Sequence, residues 1–534
     1  METSWHCPLQ DGGRPAILRS VSPDSRASGR WALAASILGS GMAFLDGSVI
    51  TVALPVLQSQ LGTSVATAQW IVEAYALFLS SLVLVGGSLA DRFGRRKIFV
   101  LGVVVFAAAS LACGLAPGAP TLIAARGLQG IGAALLVPSS LAMLGAAFSA
   151  SERGKAVGTW SALTSLGSAI GPALGGWLVQ AISWRAVFFI NLPIAAVLLW
   201  ITLRKVTETR NPHAGRLDVA GALLATAGLG ALVFGLIEAP TRGWSDPRVW
   251  GSVAAGMAGL AAFVAVERRS RHPMVPLSLF RNRTFTAANL LTLFLYAALA
   301  ALFFFLPFVL IQARGYTPAA SGAALLPLIV LVSGGSRAAG ALADRVGPRL
   351  PLTLGPAIAG AGFALFAVLP ADAGYVVSIL PGLVVLGVGI AVTVAPLTAA
   401  VLNAVDRADQ GAASGINNAI ARLAALLAIA VFGIAAAAAF QRELDRQMDA
   451  AQVSPETRRI LEPERSKLGA LRPPPRAAES EKRAIEASVG GALEKSFRYV
   501  SGICAALAGA AAACGTGVAK GRVARRRVKS DVRG

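Results

Sequence analysis

Polar and apolar residues alternate along this chain on a long wavelength. Runs of about 20 apolar residues, each able to cross a hydrocarbon layer of about 30 Å as one helix, are separated by short polar segments. The pattern predicts about fourteen spans, near 31–57, 68–90, 98–116, 121–146, 155–179, 185–204, 217–238, 249–267, 285–311, 320–341, 351–370, 375–400, 411–440 and 497–518. The last run is only mildly apolar, but Phe497, Arg498 and Tyr499 at one end and Lys520 and Arg522 at the other supply interfacial anchors. Six, two and six spans give an all-α integral membrane protein. Its N-terminal six-helix half is 31–205, its central two-helix insertion 206–280 and its C-terminal six-helix half 281–518. Residues 1–30 are polar, lack the apolar core of a signal peptide and read as a disordered cytoplasmic tail. Residues 519–534 read as a basic cytoplasmic tail. Segment 441–495 holds Pro473-Pro474-Pro475 amid charged stretches of helical composition, and reads as an outward-facing helical excursion with a stiff break.

Composition agrees with this class: 534 residues, 55% hydrophobic and 14% charged, with mean hydropathy +0.65. The net charge of +21 raises the question of nucleic acid. Its distribution answers it, since Lys and Arg gather in short segments around 92–97, 152–155, 204–216, 268–283, 345–349 and 520–533, while 58–67, 116–120 and 371–374 have none. That asymmetry predicts both termini inside a cell membrane, with no nucleic-acid partner. Cys7, Cys113, Cys504 and Cys514 are scattered, giving neither a disulfide framework nor metal-ligand spacing. No phosphate-binding loop and no His-Glu-x-x-His occurs, so the sequence carries no sign of an enzyme, a metal or a cofactor.

A charged residue inside a span costs about 2.5–3.5 kcal/mol on insertion scales, so each needs a reason. Asp46 lies in span 1, Glu73 in span 2 and Arg126 in span 4, beside Gln129. At 1.5 Å per residue Asp46 is roughly 22 Å from the inner end of its span, and Glu73 and Arg126 are each roughly 8 Å from the outer ends of theirs. All three therefore fall in one layer, where two carboxylates sharing one arginine would leave one free to exchange a proton. A static interhelical salt bridge accounts for any single pair equally well. Asp46, Ser48 and Thr51 give span 1 a polar side that suits a water-filled cavity. Arg422 in span 13 has no nameable acidic partner, and Arg337 sits near the inner end of span 10.

Between spans 2 and 3 the chain reads Gly87-Ser-Leu-Ala-Asp91-Arg92-Phe-Gly94-Arg95-Arg96-Lys97. Gly87 suits a close backbone approach and Gly94 a left-handed turn, and Asp91 is placed to meet a helix N-terminus. A degenerate copy, Gly340-Ala-Leu-Ala-Asp344-Arg345-Val-Gly347, follows about 250 residues later, as two repeated halves require. Span 5 carries Gly167, Gly171 and Gly175 at i, i+4 and i+8, with Pro172 and Gly176. Close helix packing alone would explain the strip; the added proline and paired glycine make a rarer string.

Segments 45–55, 87–97, 122–134 and 167–178 resemble those of the major facilitator superfamily, and in particular its drug:proton antiporter family with fourteen spans. The similarity covers essentially all of 31–518. By that resemblance Asp46 and Arg126 match membrane-embedded charges implicated in proton coupling, Asp91, Arg92 and Arg95 match a gating loop, and the span 5 string is one associated with antiporters. Span 10 lacks an acidic residue that some drug-exporting relatives carry there, which leaves the substrate's charge open. Trp70, Tyr75, Gln129, Trp160 and Tyr296 are candidate cavity residues, against lipid-facing packing as the alternative for the aromatic ones. The resulting expectation is a proton-coupled exporter of small amphiphilic organic compounds, working as a monomeric unit with the substrate, protons and the bilayer as its partners. An importer or metabolite exporter of the same fold, or a non-transporting sensor, are the alternatives.

Overall fold

A computed structural model describes residues 23–211, 218–270, 275–370, 373–406 and 409–519; residues 1–22 and 520–534 of the expected tails lie outside these. Among the described residues, fourteen helices are long and apolar enough to cross a membrane: α1 Gly29–Leu61, α2 Val65–Phe93, α3 Arg95–Leu115, α4 Ala119–Ala147, α5 Lys155–Ala181, α6 Ala186–Lys205, α7 Val219–Arg242, α8 Pro247–Arg269, α9 Arg283–Ala313, α10 Pro318–Ser336, α11 Arg349–Val368, α12 Tyr375–Asn403, α13 Gln410–Ala450 and α14 Glu479–Thr516. The ends differ from the sequence pattern where polar helix is contiguous with apolar helix. The helix of α1 starts at Pro23, inside the expected tail, and α10 runs on as helix to Val346. α13 and α14 extend well past the apolar runs that announce them.

The connections are short because the chain supplies their stops. Ser64 caps α2 by accepting from the Thr67 amide at 3.2 Å. Gly94 alone joins α2 to α3 at φ 117°, and Gly347 ends α10's helix at φ 83°; each donates its N–H four residues back, to Ala90 and Ala343. The motif and its degenerate copy therefore build the same turn.

Two six-helix bundles repeat one pattern of contacts. In the first, α1 packs on α4, α5 and α6, and α4 on α2 and α3; in the second, α9 packs on α13 and α14, and α12 on α10 and α11. Glycines permit these approaches: a Cβ on Gly86 would stand 2.0 Å from the Ala134 carbonyl, and one on Gly130 2.4 Å from that of Tyr75. Between the bundles, α2 meets α13 and α5 meets α10. The central pair docks through α7 onto α2 and α13, with Leu77, Leu229, Val233, Ile237, Leu426 and Ala430 forming a shared apolar cluster; α8 packs on α7.

Segment 441–495 is helical up to Ala450, then a short helix Pro455–Leu461, a 3₁₀ stretch Glu462–Ala470, a proline-containing link and the start of α14. It folds over one end of the bundles, burying Met448, Val453, Leu461, Leu468 and Leu471 in the main apolar cluster. Gln58 of α1 donates to the Lys467 carbonyl at 2.9 Å and accepts from Gln312, at the end of α9, at 2.9 Å. One hydrogen-bonded chain thus joins this cap to both halves.

The halves are tightest at the capped end. A Cβ on Gly176 would meet the Pro318 carbonyl at 2.2 Å and one on Gly322 that of Pro172 at 2.1 Å, and Gln69 donates to the Ile429 carbonyl at 2.6 Å. Toward the opposite, basic end α5 is exposed on two faces, large apolar at Leu163, Leu166 and Ile170, small at Gly158, Ser161 and Ala162. The first face suits lipid and the second a gap between the halves.

Candidate functional site

α1 carries Asp46 into the interior of its own half. Its Oδ2 accepts from Arg126 Nη1 at 2.5 Å, and its Oδ1 accepts from Gln129 Nε2 at 2.8 Å and Asn191 Nδ2 at 2.9 Å. Arg126 and Gln129, three residues apart on α4, share a face and are themselves bonded at 2.7 Å. Arg126 Nε donates to the Ile71 carbonyl at 3.1 Å, and its guanidinium lies 4.3 Å from the Tyr75 ring centroid. The Tyr75 hydroxyl donates to the Ala43 carbonyl at 3.1 Å. Ser110 of α3 accepts from Asn191 at 2.9 Å and donates to the Phe188 carbonyl at 2.9 Å. The Arg126 and Asp46 side chains are 0% and 1% exposed. A buried pair of this kind holds its charges only because each is compensated, and adding a proton to Asp46 removes the compensation.

The expected three-charge cluster is thus a one-carboxylate pair. Glu73 makes no contact with Arg126, and neither of its buried oxygens has a hydrogen-bond partner among the described residues. The reason is azimuth: Ile71 and Tyr75 face Arg126, and Glu73, two residues from each, lies about 200° around α2. It falls between Gln69 and Leu77, on the face that meets α7 and α13. On the polar side of α1 Asp46 is sealed, whereas Ser48 and Thr51 are half-buried, Ser48 Oγ donating to the Leu45 carbonyl at 2.9 Å and Thr51 Oγ1 to that of Ser48 at 2.7 Å.

Of the expected cavity residues, Gln129 and Tyr75 are buried as partners of the ion pair. Trp70 packs on Phe234 of α7, with ring centroids 6.1 Å apart. Trp160 and Tyr296 are half-buried on α5 and α9, Tyr296 one turn beyond Thr292. Thr292 and Asn289 accept from Asn417 of α13 at 2.8 and 3.0 Å. Ser110 and Asn191 escape sequence reasoning, because an uncharged polar residue in a span is common; Asn191, set inside the apolar run of α6, is a visible hint.

The charged loop holds a second correction. Asp91 does not meet a helix N-terminus; it pairs with Arg95 one turn on, at 2.8 Å. The N-terminus of α3 is met by Glu208, whose carboxylate accepts from the Arg96 and Lys97 amides at 3.0 Å each. Arg96 donates to the Leu203 carbonyl at 2.6 Å, and Arg92 lies 5.5 Å from the Phe93 ring centroid. The close approach expected at Gly87 falls on Gly86; a Cβ on Gly87 would meet only Pro138, at 3.5 Å.

The span 5 glycines divide between two partners. Gly171 and Gly175 face α1, where a Cβ would stand 1.8 Å from Ser48 Oγ and 2.7 Å from the Val49 carbonyl. Gly176 and Pro172 face α10, across the boundary between halves, while Gly167 is looser, with Gly41 at 3.7 Å.

Twelve helices in two repeated bundles, a further pair docked between them and a buried ion pair in the first bundle give, among the described residues, the architecture of a multi-pass membrane transporter. Residues 36–429 match the Major Facilitator Superfamily. Among curated relatives, the multidrug resistance protein Stp of Mycobacterium tuberculosis is 36% identical over 80% of this chain and 80% of its own. The tetracenomycin C resistance and export protein of Streptomyces glaucescens is 34% identical over 77% of each, and the methylenomycin A resistance protein of Streptomyces coelicolor 36% over 74% of this chain and 82% of its own. A bacterial homolog of the human lysosomal transporter Spinster, solved inward-facing and unoccupied, superposes with a TM-score of 0.62 at 16% identity, covering 92% of this chain and 98% of that one. The chain belongs to the major facilitator superfamily, in its drug:proton antiporter family with fourteen spans. It is a transporter of small organic solutes and not an enzyme.

Proposed function

We propose that this protein exports small amphiphilic organic compounds across the cell membrane in exchange for protons, with both termini in the cytoplasm, and that the Asp46–Arg126 pair couples the two fluxes. The observation that carries the reading is the sealed pair itself, compensated on both carboxylate oxygens. A proton on Asp46 cancels its attraction to Arg126 and loosens α1 from α4. α1 also presents Ser48 and Val49 to the α5 glycines, so a change at Asp46 reaches the helix that forms the α10 contact. Substrate and proton then bias one element between two positions, which is what coupling requires. The curated relatives named for drug and antibiotic resistance support the export direction and the substrate class.

Purified protein in proteoliposomes with an imposed pH gradient tests this. Asp46→Asn is expected to abolish uphill export and substrate-induced proton release while leaving downhill movement. Full uphill transport with normal proton release by Asp46→Asn would make the pair a static salt bridge. Glu73, without a hydrogen-bond partner among the described residues where α2 meets α13, is the second carboxyl to test; in Glu73→Gln we expect uphill transport to persist with a shifted pH optimum.

A further inference from the structure

Among the described residues, Arg422 is an intramembrane cation that the ion pair leaves unused. Arg422 sits on α13 and is half-buried, with no salt bridge or hydrogen bond among the described residues. Its guanidinium lies 5.6 Å from the ring centroid of Phe44 on α1. Phe44 precedes Asp46 by two residues, about 200° around the helix. α1 therefore turns Asp46 into its own half and Phe44 toward the other, so that Arg422 and Phe44 face each other across the boundary between halves.

The surroundings of Arg422 are one-sided in charge. Ser414, Asn418 and Arg422 recur every four residues and form one polar stripe on α13, with Asn418 exposed. A polar stripe ending in a cation at mid-membrane lines water, since lipid would make it costly. No acid among the described residues offsets it. Asp46 is held by Arg126 inside the first half, and the Glu73 carboxyl is closed off from water. Asn417, Asn289 and Thr292, one turn away, add hydrogen-bonding groups but no charge.

We infer that Arg422 is a specificity-determining residue that selects substrates bearing an anionic group, such as a carboxylate, beside an aromatic body that stacks on Phe44. A cation in a partly dehydrated gap attracts a carboxylate through charge-assisted hydrogen bonds and repels an amine. Phe44, already faced by the guanidinium, supplies the flat apolar surface. The inference rests on the export reading only in taking the gap between the halves as the substrate's route.

Two probes with one chromophore test it: dansylglycine, a carboxylate, and dansylethylenediamine, a cation, titrated by fluorescence against the full-length protein in lipid nanodiscs. The wild type is expected to bind dansylglycine about ten-fold or more tighter than the amine. Arg422→Gln should remove that preference by weakening the carboxylate, Arg422→Lys should keep it within a few-fold, and Arg422→Glu should reverse it. A wild type that prefers the amine, or that binds neither probe, overturns the inference. So does an Arg422→Gln protein with an unchanged ratio of affinities. Uptake of dansylglycine into proteoliposomes with and without a pH gradient separates this outcome from failure of the coupling proposal. A charge preference set by Arg422 with no response to the gradient sinks the coupling alone; gradient-driven uptake with a ratio indifferent to Arg422 sinks the specificity alone.

Discussion

Arg126 is held by a carboxylate, an amide, a backbone carbonyl and a ring face, all buried. Arg126→Ala removes the counter-charge and leaves Asp46 with two amide donors in a closed interior. Breaking a buried pair from one side costs about 3–5 kcal/mol. Thermal unfolding in detergent is expected to show a large loss for Arg126→Ala and a smaller one for Asp46→Asn combined with Arg126→Gln, which leaves no unpaired charge. Equal losses would mean that the ion pair contributes little beyond packing. Asp46 and Arg126 are legible in the sequence because full charges inside apolar runs are rare. Their amide and hydroxyl partners are not, because uncharged polar groups are cheap at a helix contact. Glu73 shows a different limit: counting residues fixes depth along a helix, but the assignment to one cluster needed azimuth as well, and the 200° between Glu73 and the Ile71–Tyr75 face separates them.

Helices α5 and α10 meet through Pro172, Gly176, Pro318 and Gly322, where the backbones leave no room for a side chain. Gly322→Leu must push α5 and α10 apart at the capped end. The Ala319 amide donates to Gln180 Oε1 at 3.3 Å there, so cysteines at these two positions should crosslink readily through a short thiol reagent, and poorly once Gly322→Leu is added. Undiminished crosslinking would show that the contact yields without separating the helices. The motif glycines reveal in sequence that close packing occurs, but not that one string serves two partners, because facing helices are set by the tertiary fold. The charged loop behaves likewise. Asp91 and Arg95 are 35% and 19% exposed, and a pair of that kind contributes under about 1 kcal/mol. Asp91→Asn should therefore leave thermal stability and substrate affinity near wild type while transport falls, if the loop acts in conformational cycling. A large loss of affinity with normal turnover would place Asp91 in binding instead.

At the scale of the whole molecule, charge and cap set opposite ends. The basic segments lie beside Arg92, Arg95 and Lys97, and the cap lies over the end where Gln58, Gln312 and Lys467 are joined. Arg and Lys between spans remain on the cytoplasmic side during insertion, whereas the acids and bases of 441–495 nearly cancel and exert little bias. The count of fourteen helices among the described residues fixes a parity: with the 2–3 loop inside, the loop between α13 and α14 must be outside, since eleven spans, α3 through α13, lie between the two loops. Lys97 and Arg459 are both exposed. In a protein whose native cysteines have been replaced, Arg459→Cys should react with an impermeant thiol reagent in whole cells. Lys97→Cys should react only after the membrane is opened. Equal labelling of the two in intact cells would break the parity, and with it the assignment of the basic end to the cytoplasm and of the capped end to the exit side of the transport path.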